Sequence, residues 1–236
     1  TGVLGQWLDS IPGLYISGQV KQATTIASCP GLRLRQLGDQ EADIKSIIRS
    51  ITKYCVTITD VKDIKYELDK AIYIALSGRP GPVWVDVPLD IQGAMVNESE
   101  MRSFNPQDVE DRTIDHDKID SQIKELLSKI KGAKAPIIYV GNGVRLAGKT
   151  KEFIEIAEAL QIPVVTAISG SDIIWYDHPL FYGKPGICGD RLGNIMVQNS
   201  DLLIIVGTRL SIRQISYAYE LFAPKAFKVM VDVDAG

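Results

Sequence analysis

Short runs of β-branched and aliphatic residues, bounded by glycine and proline, alternate along the chain with longer stretches whose apolar positions recur every three to four residues. A period of two giving way to one near 3.6 predicts strands followed by helices, and their alternation predicts βα units around a parallel sheet. The runs at 14–17 and 83–87 read as buried strands, and 64–76 reads as a helix with Ile64, Leu68, Ala71, Ile72 and Ala75 on one face. A second series follows in strict turn: helix 118–130, strand 137–140, helix 150–160, strand 164–168, a helix near 192–198, and strands 202–206 and 228–233. The expected class is α/β, with two three-layer units built on mainly parallel sheets and the first unit incomplete. Between the two series, 97–115 is dominated by acidic, amide and arginine side chains with few apolar positions, so it reads as a linker separating residues 1–96 from 116–236.

Composition narrows the function. A chain of 236 residues with 45% hydrophobic and 23% charged side chains can bury a real core. Its 26 basic and 29 acidic residues leave a net charge of −3, which supplies no field for phosphate backbones or anionic lipid and argues against a nucleic-acid or membrane partner. No apolar run reaches the roughly 18–20 residues of a membrane-spanning helix. Cys29, Cys55 and Cys188 are odd in number and widely spaced, so neither a disulfide framework nor a zinc site is expected, which fits a reducing cytoplasm. The chain opens on Thr1 and stops at Gly236 directly after a strand-like run, so it reads as a piece of a longer protein.

Four clusters carry candidate chemistry. Ser77-Gly78-Arg79-Pro80-Gly81-Pro82 is a stiff corner in which Gly78 suits a left-handed helix end, and Arg79 either faces solvent or offers its guanidinium to a phosphate. Gly141-Asn142-Gly143 follows a strand, where glycines either make a plain turn or let a pyrophosphate approach; with Leu146 at the third glycine position, the standard dinucleotide fingerprint is absent. Gly183 to Gly189, which includes Gly186, and Gly207-Thr208-Arg209 with Arg213 place small residues beside cations, a pattern that suits a flat, phosphorylated ligand. Asp232 and Asp234 end the last strand, where they either solvate it or accept hydrogen bonds from a ribose or adenine. His116 and His178 lack any accompanying nucleophile pattern.

Taken together, these motifs resemble one family. Leu8-Asp9-Ser10-Ile11-Pro12, Ile16-Ser17-Gly18-Gln19-Val20, Gln40-Glu41-Ala42-Asp43-Ile44, Ile51-Thr52-Lys53 and the segment 77–88 are similar to the end of the pyrimidine-binding domain of acetolactate synthase-like thiamine diphosphate enzymes. The segment 136–143, Ile162-Pro163-Val164, Asp177-His178-Pro179-Leu180, 201–209 and 231–234 resemble the central domain of the same enzymes, a Rossmann-like domain of the FAD/NAD-binding type. The resemblance implies that the intact protein decarboxylates a 2-oxo acid such as pyruvate and passes the two-carbon unit to a carbonyl acceptor. It also implies thiamine diphosphate and Mg2+ as cofactors, FAD or an ADP-like ligand in the central domain, and a cofactor site shared with a second subunit of a homo-oligomer. The activating glutamate and the Gly-Asp-Gly magnesium motif would lie outside these 236 residues, leaving this chain inactive alone.

Residue by residue, the resemblance makes Gln40 the glutamine that lines the active-site channel and Arg213 the arginine near the acceptor's carboxylate. Arg79, Gly141, Asn142, Gly143, Gly186, Gly207, Arg209 and Asp232 match positions around the flavin. Asp39, Leu89, Cys188 and Ser211-Ile212 stand where acetolactate synthases carry Phe, Lys, His and paired aspartates, which implies a related carboligase with a different acceptor, such as a keto sugar nucleotide. The alternative is a non-catalytic FAD- or ADP-binding module built on the same loops; a dehydrogenase half is disfavoured by the missing third glycine.

Overall fold

The computed structural model describes residues 1–109 and 115–234. The chain divides into two compact units, Thr1–Arg112 and Thr113–Gly236.

In the first unit, helix α1 (Gly2–Asp9) ends at Ser10 in a left-handed conformation and leads into strand β1 (Gly13–Gln19). Helix α2 (Ile44–Ile48), capped by the Asp43 carboxylate, precedes β2 (Tyr54–Thr57); helix α3 (Ile64–Leu76) precedes β3 (Pro82–Pro88), which runs into the short α4 (Leu89–Gln92). The strands pair in parallel in the order β1-β3-β2. Ala71 and Ala75 of α3 pack against Val83 and Val85 of β3 at essentially zero exposure, so small residues on the helix let it sit close to the branched strand residues. Ile64 and Leu68 border that cluster, but Ile72, expected on the same face, is 46% exposed. At 100° per residue it falls to one side of the Ala71–Ala75 stripe.

The segment at 97–109 is better anchored than its polar composition suggests. Phe104 packs on Tyr66 and Tyr73 of α3, the Arg102 guanidinium lies 3.6 Å from the Tyr66 ring centroid, and Arg102 pairs with Asp63. One aromatic and one arginine suffice because α3 offers two tyrosines on its outer side.

The second unit starts with α5 (His116–Gly132), capped by Asp115, so His116 is the first residue of a helix. It continues through β4 (Pro136–Val140), α6 (Gly143–Leu146), α7 (Thr150–Leu160), β5 (Val164–Thr166), α8 (Arg191–Asn199), β6 (Leu202–Val206), α9 (Ile212–Ile215) and β7 (Phe227–Val231). All strands are parallel, in the order β5-β4-β6-β7. Ile138, Val140, Val164 and Ile204 face Phe153 and Ala157 of α7; Ile137, Tyr139, Val165, Leu203 and Ile205 face Val197 of α8 and Phe222. Burial on both faces explains why these strands read as unbroken apolar runs. β5 stops at Thr166, two residues before the expected end, because Ile168 enters a helical turn; β7 stops at Val231, leaving Asp232 just beyond it.

Asp201 ties the start of β6 to the start of β4, its carboxylate accepting from the amides of Lys134 (2.7 Å) and Ala135 (2.9 Å). These amides, Lys134 first, hold its pKa below the usual carboxylate value. A depressed folded pKa contributes stability above the unfolded value, near 4, and loses it as pH falls through the folded one. Asp201→Asn is expected to cost about 1 kcal/mol at pH 7, after allowance for solvent screening, and to flatten the acid limb of the stability curve. Urea unfolding at pH 7 and pH 3 checks both.

Candidate functional site

The strand order of the second unit fixes where a site belongs. From β4 the chain crosses to β5 on one side, and from β6 it crosses to β7 on the other. The crevice of such a sheet opens where these crossovers part, beyond the carboxyl ends of β4 and β6. The loops there are Gly141-Asn142-Gly143 and Gly207 to Arg213, so Gly141, Asn142, Gly143, Gly207, Arg209 and Arg213 come together at the switch point.

The glycines act there in a way their spacing did not reveal. Gly143 N–H donates to Gly207 O at 2.8 Å, and Gly141 N–H to Val206 O at 2.9 Å. A Cβ at Gly141 would sit 2.4 Å from Thr208 Cβ, and one at Gly143 would sit 2.6 Å from Gly207 Cα. Gly207 has φ +59°. The missing side chains therefore let the two tip loops close on each other.

The loop before α8 joins the same frame. Gly186, at φ +111°, lies against the Arg213 carbonyl, which accepts the Ile187 amide at 2.9 Å. Asn194 of α8 clamps Gly186 from both sides, its Oδ1 accepting the Gly186 amide at 2.9 Å and its Nδ2 donating to the carbonyl at 3.2 Å. Gln214 accepts the Ser211 amide at 2.7 Å and donates to Thr208 Oγ1 at 3.1 Å. Neither Asn194 nor Gln214 was foreseen, although Ser211-x-x-Gln214 is a readable capping box. Asn142 is held by Arg145, which also pairs with Asp172.

On this frame Arg209 and Arg213 are exposed, and neither guanidinium has a hydrogen-bond or ion-pair partner among the described residues. Asp232 is also exposed and accepts the Asp234 amide at 3.0 Å. Thr166 Oγ1, at the tip of β5, is fully buried without a partner. So is Tyr139 Oη: burial raises the phenol's pKa, and the Gln214 amide beside it offsets part of the rise without hydrogen-bonding geometry. Two exposed arginines without a partner among the described residues, carried on loops packed backbone to backbone, suit an anionic ligand.

The remaining candidates lie in the first unit. Arg79 Nε donates to Ser10 Oγ at 2.8 Å, so the side chain is engaged at the end of α1; α3 leaves its helical path at Ser77, which is extended, and Gly78 takes the left-handed conformation just after it, at φ +56°. Lys53, of the Ile51-Thr52-Lys53 motif, donates to the carbonyls of Ile74 and Ser77 and so closes the C-terminus of α3. Gln40 is exposed on the loop between β1 and α2. A cavity of about 930 Å³ lies under that loop, lined by Gln19, Glu41, Asp43, Cys55, Thr57 and Asp86 among others; Gln40 is not among its lining residues. Asp86 is 2% exposed and accepts from Ser17 Oγ at 2.6 Å, Thr57 Oγ1 at 3.3 Å and Gln19 Nε2 at 3.4 Å. Among the described residues no group of three or more His, Cys, Asp and Glu side chains could hold a metal ion. No helix among them is long and apolar enough to cross a membrane.

Comparison with known proteins agrees with this architecture. Residues 123–236 match the family model for the thiamine pyrophosphate enzyme central domain. Nearly the whole chain is similar to acetolactate synthase large subunits. Identity is 33% to isozyme 3 of Escherichia coli (99% of this chain, 39% of that protein) and 33% to the Lactococcus lactis protein (100% and 39%). It is 35% to that of Corynebacterium glutamicum (96% and 34%). The chain thus spans under two fifths of the length of these relatives. The second unit's parallel sheet thus carries the match to the thiamine pyrophosphate enzyme central domain, and the likeness to acetolactate synthase large subunits runs on through the first unit.

Proposed function

We propose that this chain is part of a carboligase of the acetolactate synthase type, which decarboxylates a 2-oxo acid such as pyruvate and transfers the two-carbon unit to a carbonyl acceptor. In this reading, residues 1–96 are the C-terminal half of the pyrimidine-binding domain, 97–115 the linker and 116–236 the central domain. The observation that carries it is the likeness to acetolactate synthase large subunits running in order through both units. The resemblance to these enzymes assigns Mg2+ and the diphosphate of the cofactor to protein beyond these residues or to a second subunit. What this chain contributes is positioning. Gln40 lines the substrate channel, and Arg213, unpaired and exposed, binds a carboxylate through its guanidinium fork.

The central domain holds FAD or an ADP-like group at the β4–β6 switch point. Arg209 neutralises a phosphate, and Asp232 accepts from a ribose or adenine donor. The arginine supplies a charge-assisted bond, so Arg209→Ala is expected to weaken ADP binding about tenfold. Isothermal titration checks it.

The second reading is a nucleotide-binding module without catalysis, built on the same tip loops. Both readings predict no carbon dioxide release from pyruvate, thiamine diphosphate and Mg2+ by the purified 236-residue chain, and measurable release would overturn that expectation. They part on whether a longer chain containing these residues turns over pyruvate, and on whether Gln40→Ala in that chain lowers the rate.

A further inference from the structure

Between β1 and α2 the backbone makes a long excursion with only short helical turns, and a single carboxylate gathers it. Glu41 Oε1 accepts the Ile26 amide at 2.6 Å, while Oε2 accepts the amides of Leu37 at 2.7 Å and Gly38 at 3.3 Å. The next residue is pinned to the sheet, since Gln19 Nε2 donates to the Ala42 carbonyl at 2.7 Å. Gln36 closes the far side by donating to the carbonyls of Gly38 and Asp39. Gly38 cannot move aside to accept a side chain: a Cβ there would lie 2.8 Å from Thr24 O and 2.9 Å from Val20 Cγ2. Each of these anchors has at least one end within four residues of Gln40 in sequence, and Gln40 itself has no hydrogen bond among those described.

We propose that Glu41 is a positioning residue, a carboxylate latch that joins residues 26 and 37–38 and so fixes where the Gln40 side chain is presented. The inference rests on the reading of Gln40 as a channel residue, but the latch itself is tested without that reading. Its amide donors, Leu37 first, hold the Glu41 pKa below the ordinary carboxylate range; desolvation and, more weakly, Asp43 oppose them. The other charged groups around the cavity are Arg35, Lys45, Arg49 and Asp86. A depressed acid keeps the latch closed above its unfolded value, near 4.3, and opens it as pH falls through the folded value.

The test is amide exchange and a pH titration followed by NMR on the full 236-residue chain. In the wild type, the amide shifts of Ile26, Leu37 and Gly38 are expected to titrate together at one acidic midpoint below the ordinary glutamate value, while amides of β2 and β3 stay protected. In Glu41→Gln that shared midpoint disappears, the three amides exchange at least tenfold faster, and the Gln40 side-chain amide shifts move toward free-chain values. Glu41→Asp, shorter by one methylene, keeps the midpoint and recovers part of the protection. Gln40→Ala leaves all three amides as they are, so an idle Gln40 in turnover assays would sink the channel reading and spare the latch. Separate midpoints for the three amides, or unchanged exchange and Gln40 shifts in Glu41→Gln, would overturn the proposal. If Glu41→Gln fails to fold, the wild-type titration alone decides it.

Discussion

Gly207→Ala is expected to destabilise the second unit by about 2–4 kcal/mol, through two separable effects. Its φ of +59° is left-handed, a region that costs an L-residue about 1 kcal/mol or more. Its new Cβ would also lie 2.8 Å from Gly143 Cα and 2.8 Å from Val144 N, both backbone atoms in the opposing loop that cannot rotate away. The strain therefore pushes the β4 loop off the β6 loop, and the Gly143–Gly207 hydrogen bond is lost with it. Because Arg209 and Arg213 stand on the same frame, nucleotide affinity should fall along with stability. Denaturation followed by the amides of Leu203 and Ile205 checks the first effect, and titration with ADP below the melting range checks the second. A variant as stable as the wild type would show that the tip loops are not packed as described.

Asp86→Ala is expected to cost the first unit about 2–3 kcal/mol. The buried side chain has no ion-pair partner among the described residues and depends on three neutral donors, so its removal strands the Ser17 and Thr57 hydroxyls. Ser17 Oγ also accepts Trp84 Nε1 at 2.8 Å, and the Trp84 ring stacks on Tyr15 at 5.1 Å between centroids. Loss of Asp86 thus loosens a chain of contacts across β1 and β3. Asp86→Asn keeps an acceptor and should cost less than half as much. The Trp84 indole proton resonance reports the change directly, and equal stability of Asp86→Ala and wild type would remove Asp86 from this role.

The elements most legible in the sequence were those whose burial matched their period. Helices 64–76 and 150–160 and strand 202–206 lie as read, because each has one apolar stripe or is apolar on both faces. β2 escaped notice because Tyr54-Cys55-Val56-Thr57 is too short and mixed to show alternation, and all four residues are only partly buried. α1 was hidden by Gly2 and Gly5, two residues that weaken any helical reading. At the candidate site the residue types were legible but their mechanics were not. Gly141, Gly143 and Gly207 are spaced as ligand glycines, yet they serve a loop-to-loop contact across 64 to 66 residues of chain, which local patterning does not encode. Arg79 read as a phosphate ligand or a solvated corner, whereas its Nε bonds Ser10, 69 residues away in sequence.

The claim on which the account stands is that the β4–β6 tips of the second unit receive an anionic nucleotide. Titration of ADP into the isotope-labelled chain tests it most directly. The account predicts saturable shift changes concentrated at Gly141, Gly207, Arg209 and Asp232, weakened about tenfold by Arg209→Ala. Unperturbed resonances at these positions at millimolar ADP, or changes confined to the first unit, would contradict it.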